Sequence, residues 1–65
     1  MKSWRRVGKQ DVWALGSFRI KQLGPEVFLL YQAQLELELG QRQFPPARFK
    51  KLKDAKDWGR ERYEG

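Results

Sequence analysis

Val27-Phe28-Leu29-Leu30-Tyr31-Gln32-Ala33-Gln34-Leu35-Glu36-Leu37-Glu38-Leu39 is the stretch whose conformation decides the fold of this 65-residue chain. From Tyr31 onward it alternates strictly. Tyr31, Ala33, Leu35, Leu37 and Leu39 hold one parity, and Gln32, Gln34, Glu36 and Glu38 hold the other. The residue types are good helix formers, and Pro25 and Gly40 stand where a helix would start and stop. Geometry separates the two conformations. On a helix Leu35 and Leu37 lie about 200° apart, which splits the apolar set onto opposite sides; on a strand they share one face. The spacing therefore predicts extended chain. Thirteen residues exceed the usual strand length, so a break into two strands is expected near residues 32–34. Gln32-Ala33-Gln34 carries no turn chemistry to mark that break.

Working upstream, Gly24-Pro25-Glu26 is a turn signal, and residues 12–23 precede it as a strand. In that strand Phe18 and Ile20 alternate with Arg19 and Lys21, the mark of one dry face, and Gly16 suggests a bulge or a tight crossing. Gly8-Lys9-Gln10-Asp11 reads as a turn after a short extended segment at residues 4–7. Downstream, Pro45-Pro46 ends the extended region and residues 47–64 read as a helix. Its Phe49, Leu52, Ala55, Gly59 and Tyr63 share a face, with Trp58 on the flank and Asp54, Asp57, Glu61 and Glu64 opposite. The expected fold is α+β: a three-stranded antiparallel sheet, four-stranded if the N-terminal segment pairs, packed against one C-terminal helix. It is read as a single domain over residues 1–65. Residues 1–11 form a basic arm or edge strand, 12–44 the sheet and 47–64 the helix.

Composition narrows the chemistry. There is no His and no Cys, so disulfides and the usual zinc ligand sets are excluded, and no cofactor is expected. Nine aromatic residues can supply the core that so short a chain needs. Ser3 and Ser17 are the only hydroxyl nucleophiles besides the tyrosines, and no Gly-rich phosphate loop is present, which argues against an enzyme. Glu36 and Glu38 form a carboxylate pair, but their glutamine-flanked alternation reads as a solvated strand face rather than an acid–base site. No apolar run reaches the length needed to cross a bilayer, and the N-terminus lacks a signal-peptide core, so a cytoplasmic protein is expected.

The formal net charge is +6, from fourteen Lys and Arg against eight Asp and Glu. Residues 1–11 carry four bases against one acid, residues 12–40 two against three, and residues 41–65 eight against four. Two basic ends bracket a nearly neutral middle. Such a pattern points to an anionic partner, with the nucleic-acid backbone foremost and an acidic protein surface as the other choice. The arm Lys2, Trp4, Arg5, Arg6 and Lys9 sets one aromatic among four bases. Trp4 either stacks on a base or anchors an edge strand. Arg48, Lys50, Lys51 and Lys53 crowd the predicted helix start, where the macrodipole disfavours cations. Either they await an anion there, or Lys50 and Lys53 pair with Asp54 and Asp57. Trp58 either completes the core or meets a protein partner.

The tail Phe49-Lys50-Lys51-Leu52-Lys53-Asp54-Ala55-Lys56-Asp57-Trp58, following a run of strands, resembles the end of the arm-type, AP2-like DNA-binding domains of phage and mobile-element integrases. More loosely, the chain is similar to small phage-encoded proteins of sheet-plus-helix build. The resemblance implies a three-stranded sheet entering the DNA major groove, with Arg19 and Lys21 among the side chains that touch the duplex. The later strands depart from that pattern, because Gln32, Gln34, Glu36 and Glu38 stand where bases are expected. The bet therefore falls on the arm and the helix start. The function expected is a small non-enzymatic regulatory protein of phage or mobile-element type that binds nucleic acid, DNA ahead of RNA, with no membrane and no small-molecule substrate. A modulator docking on a host machine such as RNA polymerase, near its nucleic-acid channel, is the alternative.

Overall fold

The computed structural model describes residues 3–8, 11–37, 39–40 and 42–64, excluding the side chain of Glu36. Five strands and one long helix follow in order: β1 (Arg5–Arg6), β2 (Val12–Leu15), β3 (Phe18–Gly24), β4 (Val27–Gln32), a 3-10 turn at Gln34–Glu36, β5 (Ala47–Phe49) and α1 (Leu52–Glu64). The strands form one antiparallel sheet in the order β1-β2-β3-β4-β5, so every strand pairs with its neighbour in sequence. The α+β class and the C-terminal helix agree with the sequence reading. The strand count does not: the sheet has five strands rather than three or four.

Two strands gained, and one lost after Gln32, account for the difference. Residues 12–23 are not one strand but a tight hairpin, because Gly16 adopts φ +60° and turns the chain back at Gly16-Ser17. That is a left-handed conformation open to glycine at little cost. The second is the short strand β5, which occupies residues assigned from sequence to the helix. Its Ala47 pairs with Leu30, Arg48 with Leu29 and Phe49 with Phe28. Three residues after Pro45-Pro46 are too few to show a period of two.

The alternating stretch is corrected as well. β4 ends at Gln32, and the chain then leaves the sheet. Gln32 is 7% exposed and commits both ends of its amide to the base of this excursion. Its Nε2 donates to the Arg42 carbonyl at 2.9 Å, and its Oε1 accepts from the Phe44 N–H at 2.7 Å. A buried amide left unpaired would cost about 1–3 kcal/mol, so pairing there outweighs continuation of the strand pattern. The N–H of Ala33 donates to the Ser17 carbonyl at 2.7 Å, which ties the start of the excursion to the β2–β3 turn.

The helix covers one face of the sheet. Phe18, Ile20, Phe28, Leu30 and Ala55 form the buried cluster, with Trp4, Trp13, Phe44, Phe49, Leu52, Trp58 and Tyr63 packed around it. Burying a side chain the size of Phe18, Ile20 or Leu30 contributes about 1.5–3 kcal/mol. Ala55 and Gly59 are the buried helix residues, and their small size lets α1 approach the sheet. Trp58 lies with the core: its ring meets Phe44 edge-on at 5.8 Å and Phe49 at 6.0 Å, and the Arg62 guanidinium lies 3.7 Å from its centre.

Candidate nucleic-acid interface

Antiparallel register decides which side chains share the face opposite the helix, since directly paired residues project to the same side. Arg5 pairs with Ala14, Ala14 with Arg19 and Arg19 with Tyr31. Val12 pairs with Lys21, Lys21 with Leu29 and Leu29 with Arg48. These two rows, with Leu23 and Val27 at one end, make up the open face. Arg5, Lys21 and Arg48 are exposed there, and Arg19, Tyr31, Val12 and Leu29 are half-buried. Val7 continues the face, because its N–H donates to the Val12 carbonyl at 2.8 Å and extends the β1–β2 pairing.

Arg5, Arg19, Lys21 and Arg48 run diagonally from one edge of the sheet to the other. At roughly 4.8 Å between strands, that diagonal spans about 19 Å. The described strand positions of this face contain no Asp or Glu. Arg19 is held in place by its Nη1, which donates to the Gly16 carbonyl at 2.6 Å and the Phe18 carbonyl at 3.0 Å. Beside Arg5, a groove lined by Ser3, Arg5, Ala14, Leu15 and Gly16 opens at the β1 side. Four cations on one low-dielectric surface reinforce one another as a positive field over the face.

The structure regroups the residues expected from sequence. Arg5, Arg19, Lys21 and Arg48 come together. Lys2 and Lys9 lie outside the described residues. Trp4 is on the helix side, where its indole Nε1 donates to the Lys56 carbonyl at 3.0 Å and anchors the edge strand to α1. Arg6 also leaves the arm: it pairs with Asp11 at 2.6 Å and lies 5.9 Å from the centre of the Trp13 ring. Arg48 belongs to β5, Lys50 and Lys51 to the bend that follows, and Lys53 alone of that group to α1. The conflict between cations and the helix dipole is therefore smaller than the sequence implies, and Asp54 occupies the first turn with favourable sign.

The acidic strand face expected at Glu36 and Glu38 is corrected at Glu36, whose backbone lies in the 3-10 turn after β4 stops at Gln32, while Glu38 lies outside the described residues. On β4 the open face instead presents Val27, Leu29 and Tyr31, a framework that sequence reading missed. The signal for it was present in the parity of Arg19 and Lys21, once Tyr31 and Leu29 are paired with them. Among the described residues no helix is long and apolar enough to cross a membrane, and no cluster of acidic side chains suits a metal ion. No protein-family model matches the chain, and no curated protein or solved structure matches it.

Proposed function

We propose that this protein is a small non-enzymatic regulatory protein that binds duplex nucleic acid, DNA ahead of RNA, with the open face of its sheet. The diagonal of Arg5, Arg19, Lys21 and Arg48, on a face whose described strand positions hold no acid, carries this reading. Duplex is favoured over single strands because Tyr31 is the one aromatic among the described strand positions of that face. Single-strand binders stack successive bases on several aromatic platforms. Here the other described aromatics lie on the helix side, packed in or against the core.

A five-stranded sheet about 19 Å wide does not enter a major groove of about 12 Å as a whole. The fitting arrangement puts β3 over the groove, with Lys21 toward base edges, while Arg5 on β1 and Arg48 on β5 reach the flanking phosphates. That is the sheet-first docking implied by the likeness to AP2-like domains, and it is supported by the end of β4 at Gln32, ahead of Glu36. The test is fluorescence anisotropy with nucleic-acid-free protein on duplex and single-stranded DNA of one sequence across a salt series. Two to three phosphate contacts, from Arg5, Arg48 and Arg19, give log K against log salt a slope of about −2 to −3. Absence of duplex binding at low salt, or a flat salt dependence, rules the reading out.

A further inference from the structure

We propose that the apolar end of the open face reads thymine methyl groups in the major groove, beside the guanine edge that Lys21 meets. The inference rests on the nucleic-acid reading above and deepens it. Strand spacing selects the side chains that can enter. The three middle strands, β2, β3 and β4, span about 10 Å, which a groove of about 12 Å admits, whereas β1 and β5 fall outside it. Around Lys21 the side chains carried into the groove are then apolar. Val12 and Leu29 are its direct partners across the sheet, on β2 and β4. Leu23 follows it two residues along β3, about 7 Å or two base-pair steps away. Val27 stands beside Leu23, paired with Gly24 where β3 bulges.

Leu23 is 52% and Val27 37% exposed, and Val12 and Leu29 are half-buried. Four aliphatic side chains thus surround one ammonium group, and none of the four can hydrogen-bond a base. Pressed on a G·C edge, they would leave donors and acceptors without partners. The C5-methyl of thymine is the apolar group that base edges present in the major groove, and there the same side chains bury apolar surface against apolar surface. Lys21 supplies the polar half of the contact, since an ammonium donates to guanine O6 and N7. The site favoured is therefore guanine with thymine nearby. Uracil lacks the methyl group, which gives the preference for DNA over RNA a chemical basis.

Replacing thymine by deoxyuridine removes the methyl group and keeps every hydrogen-bonding group of the base pair. The test is fluorescence anisotropy of wild-type protein on a duplex with alternating guanine and thymine in one strand, against the same duplex carrying deoxyuridine. The thymine duplex binds tighter by about fourfold for each methyl group covered. In Leu23→Ala/Val27→Ala, which truncates two exposed side chains, the two duplexes bind within twofold of each other. Val7→Ala, also at an exposed apolar position but on the β1 side beyond the groove, keeps the preference. Equal, salt-dependent binding of the two duplexes by wild type overturns methyl reading and leaves the nucleic-acid reading standing. A preference that survives in Leu23→Ala/Val27→Ala, or is lost in Val7→Ala, overturns the assignment to this end of the face. Absence of binding to either duplex at low salt removes the nucleic-acid reading and this inference with it.

Discussion

The indole of Trp4 lies so close to Gly59 that a Cβ at residue 59 would stand 2.6 Å from Trp4 Cζ2 and 3.1 Å from Leu30 Cδ1. Because the indole N–H is also bonded to the Lys56 carbonyl, the two-residue edge strand β1 is tethered to the helix through this one side chain. Gly59→Ala gains about 1 kcal/mol of helix propensity and loses about 1–3 kcal/mol to overpacking. The expected net result is a protein roughly 1 kcal/mol less stable, with faster amide exchange at Val7 than at Ile20. Urea denaturation and hydrogen exchange check both parts. A stabilised variant would mean that Trp4 moves aside freely and does not hold β1.

Tyr63 closes over the β2–β3 turn in the same manner. A Cβ at Gly16 would collide with Tyr63 Cε1, and Gly16 is already at φ +60°. Gly16→Ala therefore meets two penalties, about 1–2 kcal/mol for the left-handed backbone and a further cost for the clash. In a Tyr63→Ala background only the backbone part remains. A double-mutant cycle on unfolding free energies should return a coupling of at least 0.5 kcal/mol. Additive effects would show that the ring is not in contact with the turn.

Gln32 offers a third test. Gln32→Met keeps the volume but removes both amide hydrogen bonds, leaving the Phe44 N–H and the Arg42 carbonyl without this partner. The expected loss is about 2–4 kcal/mol for two such bonds at a buried site. Chemical denaturation measures the loss, and limited proteolysis should cut within residues 33–43 sooner than in wild type. An unchanged midpoint would show that the excursion is not closed by this side chain.

The open face makes a prediction that separates reading from positioning. Arg48→Ala and Arg5→Ala should weaken duplex binding equally across sequences and reduce the salt slope by about 1 each. Lys21→Ala should also change the preference between duplexes, by about 1–3 kcal/mol at one position if it reaches a base edge. Arg60→Ala, on an exposed helix position, serves as the control and should leave binding within twofold. Anisotropy titrations against a small duplex panel distinguish these outcomes. A Lys21→Ala loss that is uniform across sequences would place β3 on the backbone.

Legibility in the sequence followed the length of the local signal. The apolar face of the helix at Leu52, Ala55, Gly59 and Tyr63 spans three turns, and it is the face that packs on the sheet. The alternation of Phe18 and Ile20 with Arg19 and Lys21 likewise placed the dry and wet sides of β3 as they stand. The alternation after Tyr31 was as regular and yet misleading. Strand pairing requires a neighbour, and the chain beyond Gln32 is drawn away by bonds to Arg42 and Phe44, ten and twelve residues on. The arm was divided for a similar reason: Trp4 has a partner 52 residues away that no local pattern discloses.

Charge, the absence of histidine and cysteine, the α+β class and the helix face were set by the sequence itself, because each depends on composition or on a period of a few residues. Which cations meet was decided by tertiary structure alone. Arg5, Arg19, Lys21 and Arg48 lie on three different strands, β1, β3 and β5, and only the antiparallel register of β1 through β5 brings them onto one surface. The same register sends Arg6, one residue from Arg5, to the opposite side. In a sheet, side-chain direction reverses at every residue, so a cluster of bases in sequence is divided between two faces and a new cluster is assembled from distant ones.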